Sequence, residues 1–195
     1  MNKIFWFDTE TGGTDALKNG LIELSYLIEI DKEIVDKGSL KMNPLLIPNK
    51  TIEDQALEVN GLDRNEISLY PKPLDFYSSL TNMLSKYVNR YDKLDKFIPA
   101  GYNVHFDEFF LKQFFLDMGD NYYGSWFSYK FLDVFPLVFH YVYQGKFPEL
   151  NSYTLSNVAY VLGIESDNFH NAMEDILITR QVYLKLLEID KLFTN

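Results

Sequence analysis

Two carboxylates one residue apart, Asp8 and Glu10, sit in the run Phe7-Asp8-Thr9-Glu10-Thr11-Gly12. In extended chain, residues two apart share a face, so both side chains can reach one cation. Hard divalent ions such as Mg²⁺ take carboxylate oxygens and keep several waters, which a pair on a rigid strand end suits. The pair alone is a weak signal, since about one Asp-x-Glu is expected by chance at this acidic content. A second instance, Asp31-Lys32-Glu33, reads as a solvated turn. The next element is Asn103-Val104-His105-Phe106-Asp107, placed where a strand meets a helix. Chance supplies about 0.1 of these. Asp107 there reads either as a helix N-cap or as a third acid of the same site. The last element, His170-Asn171-Ala172-Met173-Glu174-Asp175, is expected fewer than about 0.01 times. A helix start capped by Asn171, with acids opposing the dipole, accounts for its second half. His170 needs a further reason. Five residues on a helix turn through about 140°, so His170 is expected just before the helix while Asp175 faces the sheet.

The elements that must hold these groups alternate in type. Lys3 to Phe7 reads as a buried strand, and Leu21–Ile30 with Glu33–Met42 as a hairpin turning near Asp31-Lys32. Thr51 with Asp54 resembles a capping box for a short helix ended by Gly61. Leu74 to Val88 has helical spacing, Lys96 to Tyr102 is strand-like, and Asp107 to Met118 is a helix closed by Gly119. Tyr123 to Leu132 reads as extended, followed by helices over 134–143 (capped by Asp133), 154–162 and 171–188. This order predicts an α/β layer fold opening with an antiparallel meander.

Composition narrows the function. The 195 residues are 47% hydrophobic and 24% charged, enough for one domain over 1–195 with no staple. The absence of cysteine excludes disulfides, thiolate zinc sites and cysteine nucleophiles. No apolar run is long enough to span a membrane, and only Lys3 carries charge before the first strand. A soluble cytoplasmic chain without a signal peptide is expected. The net charge of -10 argues against gripping nucleic acid through long-range attraction to phosphates. It leaves open a small site whose bound cations reverse the local sign. The main positive cluster, Lys86, Arg90, Lys93 and Lys96, reads as a solvated helix end or as part of a strand's path. The 16% aromatic content carries no functional weight by number, because the other A/T-codon residues are abundant too.

Taken together and in this order, the three motifs resemble those of the DEDDh 3′–5′ exonucleases, the DnaQ-like branch of the ribonuclease H-like superfamily. Ala56 to Leu62 resembles the family segment that packs on the terminal nucleotide, and Leu155 to Ile164 the helix before the last motif. The resemblance implies a three-layer ribonuclease H-like fold, a five-stranded mixed sheet with helices on both faces. It implies two divalent cations, Mg²⁺ or Mn²⁺, with Asp8 bridging, Glu10 and Asp175 completing one site and Asp107 supporting the other. His170 is then the general base, and Thr11, Gly12, Asn60 and Phe106 are candidates for holding the terminal nucleotide. The implied substrate is a single-stranded or frayed 3′ end of DNA, releasing nucleoside monophosphates, with a polymerase or replication protein as an implied partner. RNA ends or short oligoribonucleotides are the alternative substrate, and a non-catalytic polymerase-docking module is the remote one. Tyr102 stands where the family often has His, and Gly13 where another residue is common; both departures touch substrate contacts.

Overall fold

A computed structural model describes residues 2–165 and 171–193. The central strand β1 (Lys3–Thr11) pairs antiparallel with β2 (Leu21–Ile30), which pairs antiparallel with β3 (Glu33–Lys41). On its other side β1 runs parallel to β4 (Ile98–Gly101), and β4 parallel to the two-residue β5 (Leu132–Asp133). The order β3-β2-β1-β4-β5 makes the expected five-stranded mixed sheet. Helices α1 (Asp54–Asn60), α2 (Arg64–Ser68), α3 (Pro73–Ser85), α4 (Val104–Asp117), α5 (Val134–Tyr143), α6 (Leu155–Val161) and α7 (Ala172–Phe193) cover it.

Alternation along β1 assigns each face its layer. Phe5 and Phe7 enter one core with Phe76, Leu80 and Leu84 of α3 and Phe110, Leu111 and Phe114 of α4. Trp6 enters the other with Val138 of α5, Val158 of α6 and Ile176, Ile178 and Val182 of α7. By the same period-two rule Thr9 and Thr11 continue toward α4, and Asp8 and Glu10 toward α7. A buried polar contact fastens α7 to the sheet: Arg180 Nε donates to Glu29 Oε2 at 2.6 Å, and Trp6 Nε1 donates to the same oxygen at 3.2 Å.

Three local expectations are corrected. Tyr123 to Leu132 is not a strand but a 3₁₀ turn at Tyr123–Ser125, a single bridge of Phe127 to Phe97, and then β5. Tyr123, Trp126 and Phe127 are all buried, with Tyr123 and Phe127 stacked at 4.7 Å. Driving three large rings into one core needs a turn, and aromatic β-propensity reflects packing rather than backbone preference. Thr51 does not cap α1: its hydroxyl donates to the Lys18 carbonyl, and Glu53 takes the cap position without a side-chain bond. Finally α4 starts at Val104 rather than Asp107, after Asn103 in the left-handed region at φ 61°. Asparagine tolerates that conformation, and the Asn103 N–H donates to Asp133 Oδ1 at 2.9 Å. Asp107 is therefore not an N-cap, and its carboxylate is free for other work.

Candidate active site at the carboxyl end of the central strand

The carboxylates converge where β1 runs out between α4 and α7. Asp107 reaches back to Thr9, whose backbone N–H and hydroxyl donate to Asp107 Oδ1 at 2.9 and 2.7 Å. Asp175 lies in the first turn of α7, after Asn171, whose Oδ1 accepts from the Glu174 N–H at 3.2 Å. Buried Ala172 gives the helix the small side chain that a close approach to the strand ends needs. His170 lies outside the described residues.

Electrostatics tie the four acids into one site. Burial, then Asp107, Glu10, Asp175 and Glu23, hold Asp8 well above the ordinary carboxylate range. Burial, then Glu23, Asp175 and Asp107, push Glu10 up to about 7. Asp107 is raised mainly by burial, against the two bonds from Thr9. These mutually repelling, oxygen-only donors, Asp107 buried and the other three half-buried, fit hard divalent cations, which favour the ionised forms. Asp8, Glu10, Asp107 and Asp175 are the groups that would hold them. Among the described residues no three such side chains stand close enough together to enclose an ion as placed.

Two residues of this network escaped the motifs. Glu23 faces Glu10 directly across β1 and β2, and Lys41 faces Glu23 across β2 and β3. Lys41 Nζ lies 3.4 Å from Glu23 Oε2 and lowers the Glu10 carboxyl that Glu23 raises. Like charges directly opposite destabilise a sheet, and Lys41 offsets part of that repulsion on the far side of Glu23. The available signal was an acid inside the otherwise apolar run Leu21-Ile22-Glu23-Leu24.

On the α4 side a cavity of about 390 Å³ is lined by Thr9, Thr11, Gly13, Asn60 and Phe106, with Val59 and Ala56 on its α1 wall. Asn60 Nδ2 donates to the Thr11 carbonyl at 3.0 Å, locking α1 to the end of β1. Three of the four proposed substrate contacts, Thr11, Asn60 and Phe106, thus share one cavity. Gly12 does not line it. A Cβ at Gly12 would stand 2.7 Å from the Thr51 carbonyl oxygen, so this glycine serves close backbone packing. The basic cluster lies at the far end of the sheet: Arg90 stacks on Trp126 at 4.9 Å, and Asp95 of the same segment pairs with Lys3. Lys3 is five strand residues, roughly 17 Å, from Asp8.

Two measurements test this arrangement. In EDTA, wild-type stability should fall as pH rises from about 4.5 to about 7, the interval between the ordinary and the raised Glu10 value. Protonated Glu10 is the favoured folded form, so its contribution is present at low pH and lost on ionisation. Glu10→Gln should flatten the dependence of the melting temperature, and millimolar Mg²⁺ should do so for the wild type by binding the ionised form. Thr9→Val, which removes one of two donors from Asp107, should cost about 1–2 kcal/mol in urea denaturation at pH 8. An unchanged midpoint would show that the hydroxyl bond is dispensable.

Known proteins share stretches of this sequence and its fold. A family model described as RNase T, exonuclease, matches residues 5–183. The chain is 27% identical over 177 residues to a PolC-type DNA polymerase III of Clostridium perfringens, covering 90% of this chain and 10% of that one. It is 24% identical over 184 residues to the PolC-type enzyme of Thermotoga maritima, covering 94% and 12%. Among solved structures, the zinc-bound complex of E. coli ExoI with single-stranded DNA superposes with a TM-score of 0.76 at 20% identity, over 100% of this chain and 43% of that one. A complex of ExoI with SSB-Ct gives 0.77 at 19% identity, over 100% and 44%. The chain spans about a tenth of the polymerases and under half of the ExoI chains, and the latter likeness establishes the fold.

Proposed function

The chain belongs to the exonuclease family, and on that footing we propose that residues 1–195 act as one 3′–5′ exonuclease domain, removing nucleoside monophosphates from unpaired DNA ends in the cytoplasm. The observation that carries this reading is the electrostatic influence of Glu10, Asp107 and Asp175 on Asp8, at the strand end that borders a nucleotide-sized cavity. Thr11, Asn60 and Phe106 bound the space for the terminal nucleotide, with Phe106 offering an apolar surface to its base or sugar. The four carboxylates then meet the phosphate that joins it to the next nucleotide. Asp8, Glu10, Asp107 and Asp175 would hold a pair of Mg²⁺ or Mn²⁺ ions there, which would supply a water of lowered pKa and a Lewis acid for the departing 3′-oxygen. Thr9 holds Asp107 in the orientation this needs, and the Lys41–Glu23 pair lies behind Glu10. His170, carried over from the motif resemblance, accepts the proton of the attacking water.

DNA is favoured over RNA by the relatives, which are DNA polymerases, and by a structural neighbour holding single-stranded DNA. The same likeness suggests work beside a polymerase. No helix among the described residues is long and apolar enough to cross a membrane. The test is digestion of matched DNA and RNA oligomers, labelled at either end, with Mg²⁺ and with Mn²⁺. Successive mononucleotides from the 3′ end of DNA are the expected product. Faster loss of RNA would move the assignment to an exoribonuclease, and no cleavage with either metal would leave a docking module.

A further inference from the structure

Glu23 places an acid where the sheet gains nothing from one. It lies on β2 directly opposite Glu10, and residues so paired share a face with Cβ atoms about 5 Å apart, where like charges repel. The structure nonetheless holds this carboxylate by both oxygens. The Ser25 hydroxyl donates to Oε1 at 3.3 Å, and Lys41 Nζ stands 3.4 Å from Oε2. Ser25 is fully buried, lies opposite Asp8, and meets the Ser39 hydroxyl at 2.6 Å. Lys41 is held in turn by Tyr70: its ammonium lies 5.2 Å from the ring centre, and the Tyr70 hydroxyl donates to Glu66 Oε1 at 2.7 Å. The Glu23 side chain is 15% exposed, against 41% for Lys41.

The ion pair is therefore oriented. Its negative end lies on the strand next to Glu10, and its positive end one strand farther away. Of the neighbouring charges that act on Glu10, Glu23 acts more strongly than Asp175 or Asp107, and Lys41 opposes it. A cation held by Glu10 is drawn to the near acid more than it is repelled by the far ammonium, since the interaction falls with distance. We propose that Glu23 is an outer acid of the cation site, raising its affinity for divalent ions by charge rather than by ligation, and that Lys41 limits that gain. Both are positioning residues. The inference rests on the cation site of the exonuclease reading and adds what sets its affinity. Groups outside the ligand shell change metal affinity by about 10–100-fold.

The test follows Mn²⁺ binding at pH 8 without nucleic acid, through loss of the free-ion signal in electron paramagnetic resonance. Glu23→Gln should weaken binding by about tenfold, the lower end of that range. Lys41→Met should tighten it severalfold, and Lys41→Gln gives the same reading should Lys41→Met not fold. Lys93→Met, at an exposed position of the basic cluster, should leave affinity unchanged. Opposite shifts from the two partners of one ion pair are what a charge effect requires. A mere strut between β2 and β3 would instead lower the melting temperature of both variants in EDTA and leave affinity alone. Unchanged affinity in both, or weaker binding in both, overturns the inference and leaves the exonuclease standing. A wild type that binds no Mn²⁺, or binds it equally well after Asp8→Asn, removes the cation site and the inference with it.

Discussion

Asp8→Asn and Asp175→Asn are each expected to lower turnover by about a thousandfold or more, because each takes a ligand from cations that supply several kcal/mol of charge stabilisation. The accompanying change in stability makes the test specific. Ionised Asp8 is disfavoured in the folded protein by burial and by Asp107, Glu10 and Asp175. A neutral amide of the same shape is free of that repulsion, so Asp8→Asn should melt higher than wild type in EDTA at pH 8. The rise in melting temperature that Mg²⁺ gives the wild type should be lost. A protein whose acids merely decorate a helix start would lose neither turnover nor the metal response. Wild-type activity in either variant would sink the site.

The second large effect belongs to His170. As the general base it should cost roughly 10²–10⁴ in single-turnover rate when replaced by Ala. The four carboxylates remain, so the Mg²⁺-dependent rise in melting temperature should survive. The acid limb of the wild-type profile should fall near the histidine range, around pH 6.5, as protonation removes the proton acceptor. Glu10 titrates close by in the metal-free protein, so the profiles of wild type and His170→Ala have to be compared at saturating metal. Loss of the limb together with the rate identifies the base. A wild-type rate with only a lowered melting point would make His170 structural.

The row Glu10–Glu23–Lys41 illustrates where sequence reasoning stops. An acid in an apolar strand is visible in Leu21-Ile22-Glu23-Leu24, but its meaning depends on which residue lies opposite. That pairing is set across the nine-residue connection from Gly12 to Gly20, and it includes a shift in register between Glu10 and Thr11. A one-residue slip would turn Glu23 to the other face of the sheet.

What the sequence determined alone was local: Asp8 and Glu10 on one face by strand period, α7 beginning after Asn171, and the hairpin from β2 to β3. Each depends on neighbours along the chain, where periodicity and capping act. That Asp107 is no helix N-cap was decided only by tertiary contact. Asn103 in the left-handed region, tied to Asp133, starts α4 early, and the Asp107 carboxylate meets Thr9 of β1. The misread segment after Tyr123 has the same origin: its rings fold inward because the core around Phe5 and Phe97 receives them. The cavity likewise needs Asn60 to reach the Thr11 carbonyl, 49 residues away. Such contacts join residues far apart in sequence, so no window of the chain contains the energy that decides them.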